Sequence, residues 1–348
     1  MIDIRNLCVT LGDFRLHNVS FTVRKGEYFV LLGPTGSGKT ALLETIAGLN
    51  SVTDGQIRVD GREINSLAPE RRDISIAYQD HVLFPHLSIL DNITFGLRQR
   101  GKSKKAARVE TAWVVDILGI SHLLERRPHG LSGGERQKAA LARALAIQPK
   151  VLLLDEPFGS LDPDTRERVQ NELQSVHQQL GLTIIHVTHD FEEAISTSDR
   201  LAVIEQGFIA QMGTVTELFR KPNSEFVARF LMTRNIIKGE IQENKTSNAF
   251  MRIGDITVPL ITDLRGEHHV CVRPEDISIS SHATVSDVRA AFKGRIEHIS
   301  DRGSVVYVAV SGPPEFVVLL TRREYLKMKL EKNQEVFLSF DIDTIHIF

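Results

Sequence analysis

Three apolar runs punctuate the first two thirds of the chain: Tyr28-Phe29-Val30-Leu31-Leu32, Val151-Leu152-Leu153-Leu154 and Thr183-Ile184-Ile185-His186-Val187. Short runs of this kind predict strands, and the four residues from Val151, followed by two acids, suit a buried parallel strand with carboxylates at its C-terminal edge. Each run ends abruptly in polar or small residues. The first leads through Gly33-Pro34-Thr35-Gly36-Ser37-Gly38-Lys39-Thr40 into Ala41-Leu42-Leu43-Glu44-Thr45-Ile46, which reads as a helix. A second helical run, Glu135 to Ile147, is rich in Ala, Leu and Arg. After Arg220-Lys221-Pro222-Asn223-Ser224 the long helical periods give way to short strands and turns. An α/β domain over residues 1–230 and a small all-β domain over 234–348 are expected.

Strand, glycine-rich loop and helix in that order form the setting a phosphate-binding loop requires. Backbone N–H groups of Gly33 to Thr40 would point at phosphate oxygens, and the helix N-terminus favours negative charge. Lys39 would reach the β- and γ-phosphates and Thr40 would offer its hydroxyl to Mg²⁺. Ser132, Gly133 and Gly134 lead into the second helix, so small residues at its start make a second anion-binding site.

The stretch Leu131-Ser132-Gly133-Gly134-Glu135-Arg136-Gln137 resembles the signature loop of the ATP-binding-cassette (ABC) family. The resemblance covers roughly residues 1–230, with the motifs in the family's order. It implies an α/β P-loop ATPase in which two cassettes face head to tail. Each ATP would then lie between the phosphate loop of one subunit and Ser132, Gly133, Gly134 and Gln137 of the other. With one motif of each kind in the chain, a homodimer is expected. The resemblance further makes Asp155 the Mg²⁺ carboxylate, and Glu156 the residue expected to polarise the attacking water. Gln79, in Ala77-Tyr78-Gln79-Asp80, becomes a ligand of Mg²⁺ and water, and His189 the switch histidine. Asp162, in Ser160-Leu161-Asp162, belongs to a loop that crosses the dimer interface. Adenine stacking falls near Leu11, where the family has an aromatic residue, or on Phe14 three positions on.

Composition narrows the class. With 348 residues the chain can bury two cores. A net charge of -2 gives no broad electrostatic case for nucleic acid. Lys102-Ser103-Lys104-Lys105 reads as a solvated helix start, and His268-His269 lacks metal-ligand spacing. No apolar stretch approaches the roughly 18 residues of a membrane span, and Met1 to Arg5 is no signal peptide. Cys8 and Cys271 are widely separated in strand-like contexts, which suits free thiols in a reducing cytoplasm. The short spacing from Lys39 to Asp155 disfavours chromosome-type cassettes, and a single cassette disfavours translation factors. An ATPase docked on integral membrane permease subunits at the cytoplasmic face is the expectation, indirectly served by an extracellular substrate-binding protein. His81 to Ile89, with exposed Leu and Phe, is the expected docking segment.

The tail carries an internal repeat, Arg234-Asn235-Ile236-Ile237-Lys238-Gly239-Glu240-Ile241 and Arg289-Ala290-Ala291-Phe292-Lys293-Gly294-Arg295-Ile296. Both read R-x-x-x-K-G-x-I, predicting two related β-barrel halves in one regulatory domain. This tail resembles the oligonucleotide-fold-like domain of importer ATPases for oxyanions and sugars, nearest the molybdate/tungstate branch. Arg289, Lys293, Arg302 and Ser304 in the Gly303-Ser304 turn are its candidate anion-sensing groups, through which intracellular anion would inhibit transport. Asp341 and Asp343 oppose an anion, and a tail that only dimerises is the competing reading. Other cargo (sulfate, iron, sugar or polyamine) and a regulatory ABC ATPase without a permease stand as alternatives.

Overall fold

The computed structural model describes residues 1–79, 83–243, 249–253, 256–282, 289–312 and 314–348. The chain opens with two long antiparallel strands, β1 (Ile2–Leu11) and β2 (Phe14–Val23), followed by β3 (Tyr28–Leu32) and α1 (Lys39–Ala47). Next come β4 (Asp54–Val59), β5 (Arg62–Glu63), β6 (Ile74–Ala77) and the helices α2 (Ile89–Gln99), α3 (Lys104–Glu110) and α4 (Ala112–Ile117). Helix α5 (Gly133–Ala146) precedes β7 (Val151–Asp155), α6 (Pro163–Leu180), β8 (Thr183–Thr188) and α7 (Phe191–Thr197). The first unit, Met1–Val215, finishes with β9 (Arg200–Glu205) and β10 (Phe208–Gly213).

Its main sheet runs β10-β9-β3-β8-β7-β6, parallel except for β10. Every residue of β3, β7 and β8 is buried, which is why these strands lack the polar alternation of a one-sided sheet. A second sheet, β2-β1-β4-β5, is antiparallel. Both contribute to one core, in which Phe21 stacks on Phe29 with ring centroids 5.1 Å apart. The consequence for function is directional. The parallel strands β3, β7 and β8 deliver the segments after Leu32, Asp155 and Thr188 to one edge of the sheet, where α/β proteins bind ligands.

The second unit, Thr216–Phe348, takes in all but the first residue of α8 (Val215–Arg220), together with α9 (Glu225–Phe230). The division therefore falls earlier than the loss of helical periodicity predicts. Arg273 explains the shift. Its buried guanidinium donates to the carbonyls of Phe219 and Leu231 and lies 3.0 Å above the centre of the Phe219 ring. His346 Nε2 also meets the Pro222 carbonyl at 2.8 Å, so residues 219–231 fasten to the strands that follow.

Those strands are β11 (Asn235–Glu243), β12 (Ala249–Ile253), β13 (Ile256–Leu260), β14 (Gly266–Val272) and β15 (Ser278–Ser280). After them come β16 (Arg289–Asp301), β17 (Val305–Ser311), β18 (Phe316–Thr321), α10 (Arg322–Met328), β19 (Glu335–Asp341) and β20 (His346–Ile347). The two sheets have orders β13-β12-β11-β14-β20 and β15-β19-β16-β17-β18. The repeat is visible in them: β11 and β16 each start with the repeated sequence and each sit at the centre. The repeated glycine has a steric reason. A Cβ on Gly294 would stand 2.5 Å from Val310 Cγ1, and one on Gly239 would stand 2.7 Å from Met251 Sδ. The halves also exchange strands. β15 follows the first half but pairs with β19, and β20 follows the second half but pairs with β14. One core fills both, with Phe292, Phe316 and Phe340 in mutual contact at 4.5–6.0 Å. Helix α10, absent from the sequence expectation, is capped by a reciprocal Thr321–Glu324 pair.

Candidate active site

The loop after β3 wraps a cleft of about 360 Å³ lined by Phe14, Thr35, Gly36, Gly38, Lys39, Thr40, Ala41 and Glu156. Gly38 caps α1 at φ 101°, a left-handed conformation, and a Cβ there would stand 2.3 Å from the Phe14 ring. Phe14 thus lies over the loop and forms part of the cleft wall. Leu11, its cross-strand partner at the end of the β1–β2 hairpin, packs toward the core and is not among the lining residues. Ser37 turns inward, 3 % exposed, and its N–H is committed to the Pro34 carbonyl at 3.2 Å. Lys39 Nζ donates to the carbonyls of Gly33 and Pro34, at 2.9 and 3.0 Å. Burial draws its pKa downward, opposed by the charges of Glu156 and Asp155.

Thr40 and Asp155 meet at the floor. The Thr40 hydroxyl donates to Asp155 Oδ1 at 3.0 Å, joining the start of α1 to the end of β7. Burial pushes the Asp155 carboxyl above its usual range, and the charge of Glu156 adds to the rise against the Thr40 hydrogen bond. A buried carboxylate raised in this way, beside a hydroxyl oxygen, is a hard-oxygen pair that a cation would stabilise. Mg²⁺ fits such a donor set, because it takes one or two protein oxygens and completes its shell with water and phosphate. Among the described residues no cluster of three or more His, Cys, Asp or Glu forms a metal cage.

Glu156 departs from simple strand alternation. It lies just past β7 with φ 43°, and its N–H donates to the Val187 carbonyl at 2.9 Å. The left-handed turn carries its carboxylate into the cleft, where Oε1 stands 3.1 Å from His189 Nδ1. His189 is half exposed and follows the last residue of β8. Gln79 is exposed, with its amide nitrogen 3.1 Å from where a Cβ on Gly159 would sit; it faces the loop after Glu156. Asp80, His81 and Val82 lie outside the described residues. Further on, Phe84 packs on Phe95 at 4.6 Å and beneath the Arg143 guanidinium at 5.5 Å, while Pro85 and His86 are exposed.

Ser132 forms a full capping box at the head of α5: its hydroxyl accepts from Glu135 N–H at 3.3 Å, and Glu135 accepts the Ser132 N–H at 2.7 Å. By helix geometry the N–H groups of Gly133 and Gly134 have no partner within the first turn. Ser132 is exposed, but Gln137 is fully buried and so offers no atom at the surface. Asp162 caps α6 and is exposed; the Thr165 backbone N–H holds its carboxyl below the usual range.

Among the described side chains of the second unit, Lys293 and the Arg302–Ser304 turn lie apart along β16 within one copy. Lys293 is paired with Glu335 at 2.8 Å on adjacent strands. Arg302 and Ser304 are exposed in the β16–β17 turn, nine or more residues further along; at about 3.3 Å per residue that is up to roughly 30 Å of strand. In that turn the Gly303 N–H is taken by Asp301, which also binds Arg322 at 2.8 Å. The Arg289 side chain lies outside the described residues, although its backbone pairs with Asp341.

The profile described as ABC transporter matches residues 16–159, and that of the TOBE domain matches residues 270–348. The molybdate/tungstate import ATP-binding protein of Pyrococcus horikoshii is 40% identical over 100% of both chains. The chain belongs to the ABC transporter family. This ABC chain also shares 36% identity with the spermidine/putrescine import ATP-binding protein of Roseobacter denitrificans, over 99% of its own length and 97% of that relative. A dimeric ATP-binding cassette in a post-hydrolysis state, bound to ADP and Pi, superposes with a TM-score of 0.56 at 27% identity. That match covers 62% of the ABC chain and 99% of the other. The ABC chain binds and hydrolyses ATP, and the hydrolysis is coupled to transport. None of its helices is long and apolar enough to cross a membrane, among the described residues.

Proposed function

We propose that this chain is the ATPase subunit of an importer for molybdate or tungstate, acting as a homodimer on integral membrane permease subunits at the cytoplasmic face. Full-length likeness to the Pyrococcus horikoshii protein, tail included, supports the cargo. Likeness of nearly equal extent to the spermidine/putrescine relative keeps a polyamine as the second reading.

The contact of 3.1 Å between Glu156 and His189 above the glycine-rich loop carries the proposed chemistry. ATP would lie with its phosphates on the N–H groups of Gly36, Gly38, Lys39 and Thr40, Lys39 turning from its own loop carbonyls to the β- and γ-phosphates. Phe14 would stack on the base in place of Leu11. Thr40, Asp155 and Gln79 would hold Mg²⁺, which neutralises phosphate charge when bound. Glu156 accepts a proton from the attacking water, and His189 holds that carboxylate in place near the γ-phosphate. Ser132 and Gly133 of the opposite subunit close the site, with Asp162 at the same interface. Cargo would arrive from an extracellular substrate-binding protein through the permease, and the TOBE-containing unit would lower turnover as anion accumulates inside.

Glu156→Gln tests the assignment. Removing a general base typically costs 10²–10⁴-fold, so hydrolysis should fall by about that factor while ATP binding stays intact and a nucleotide-loaded dimer accumulates. Hydrolysis near the wild-type rate would remove Glu156 from the role.

A further inference from the structure

His189 is bracketed by two residues that are themselves tied down. Thr188 Oγ1 donates to Glu193 at 2.6 Å, a carboxylate only 3 % exposed, and accepts the Asp190 N–H at 3.0 Å. Asp190 Oδ1 caps α7, accepting from the N–H groups of Glu192 and Glu193 at 2.8 and 3.2 Å. Its second oxygen points elsewhere. Oδ2 receives Nη1 of Arg166 at 3.2 Å, and the same guanidinium sends Nη2 to the Leu161 carbonyl at 3.4 Å. Leu161 immediately precedes Asp162. One side chain on the first turns of α6 therefore joins the 160–162 loop, which follows β7, to the residue after His189, which follows β8.

Stability gives no sufficient reason for this bridge. Arg166 and Asp190 are each about a third exposed, and ion pairs of that kind contribute little to folding. Both contacts are long beside the roughly 2.7–2.9 Å of a tight charged hydrogen bond, which leaves room to tighten if the loop moves. Nε of the same guanidinium is buried with no acceptor among the described residues, so the group is held only by its two outer arms. A planar fork can serve two acceptors on separate segments at once; a lysine ammonium on its flexible stem lacks that preset geometry.

We propose that Arg166 is a positioning residue that couples the 160–162 loop to His189, so that displacement of the loop shifts Asp190 and with it the imidazole facing Glu156. This rests on the reading of His189 as the switch residue and of the 160–162 loop as an interface element. Through Arg166, closure of two cassettes is transmitted to the catalytic carboxylate.

The test is steady-state ATP hydrolysis by the full-length chain carrying Arg166→Ala, Arg166→Lys, His189→Ala or the Arg166→Ala/His189→Ala pair, with melting temperature recorded for each. A misplaced catalytic group costs up to about 10²-fold, so Arg166→Ala should lower kcat by at least about tenfold. KM for ATP should stay within about twofold, because ground-state binding is untouched. The Hill coefficient for ATP should fall toward one. Arg166→Lys should restore little, and the double variant should be no slower than His189→Ala alone, the mark of residues acting as one unit. Asp190→Asn, which keeps the Oδ1 cap, should reproduce the kinetic defect and covers the case in which Arg166→Ala does not fold. The inference alone is overturned if His189→Ala is inactive while Arg166→Ala and Asp190→Asn turn over normally, or if the two losses multiply. If His189→Ala hydrolyses ATP at the wild-type rate, the reading of the switch falls and the coupling falls with it.

Discussion

The imidazole of His186 has no contact with water: it is 0 % exposed, hydrogen-bonded through Nδ1 to the Tyr28 hydroxyl at 3.2 Å and met edge-on by Phe158. Burial pushes its pKa down to about 3. In the unfolded chain the same ring titrates near 6.5. Between those values the unfolded state holds a proton that the folded state excludes, so stability rises with pH across the window and is lost as pH falls. The lost stability follows RT ln(1 + 10^(6.5 − pH)), which is about 0.1 kcal/mol at pH 7.5 and about 1.4 kcal/mol at pH 5.5. His186 alone should therefore cost the first unit about 1.3 kcal/mol between those two pH values. His186→Gln, which keeps a partner for Tyr28, should remove that part of the pH dependence. Urea unfolding followed by fluorescence of Trp113 is suited to the measurement, since it is the single tryptophan and lies in the first unit. The Glu193 carboxyl, raised by burial and 3.7 Å from His186, contributes a slope of opposite sign, but it is present in both proteins and largely drops out of the difference. If wild type and variant lose equal stability on acidification, the ring is not held neutral by burial.

Two further outcomes follow from the second unit. Arg273→Leu removes the donors to the Phe219 and Leu231 carbonyls; at about 1–3 kcal/mol for a buried group left unsatisfied, calorimetry should show a destabilised second unit and limited proteolysis should cut within 216–231. Molybdate or tungstate titrated into the assembled transporter should lower ATP turnover, and Lys293→Ala should respond as wild type does because Glu335 already holds that ammonium. A flat response to both anions would remove the sensing role from the tail.

What the sequence made legible depends on the range of the interactions involved. The strands β3, β7 and β8 could be read because burial on both faces leaves an unbroken apolar signature, and the glycine-rich loop because its geometry is local. The Ser132–Glu135 and Thr321–Glu324 caps carry the same kind of local spacing; the second was there to be read and would have revealed α10. Other features had no local signal. The left-handed backbone of Glu156 depends on its hydrogen bond to Val187 in a neighbouring strand, and the burial of Gln137 depends on what packs over α5. The scattering of Lys293, Arg302 and Ser304 follows from the length of one strand and from Glu335, a partner more than forty positions from Lys293. Arg166 escaped notice because its two acceptors are brought together only by the order of β7 and β8 in the sheet.

The strand exchange between the two tail halves has a consequence for synthesis. As the chain emerges from the ribosome, β11 to β14 can assemble early, but the free edge of β14 waits for β20, which pairs Ile347 with Val270 and His346 with Cys271. β15 meanwhile is committed to a strand, β19, that has not yet been made. The β15 pairing waits for β19 and the β14 edge waits longer, for β20, so nascent chains truncated before residue 346 should carry an exposed β14 edge open to pairing with another copy. The repeat thus behaves as one late-closing clasp, and its halves are not separable parts.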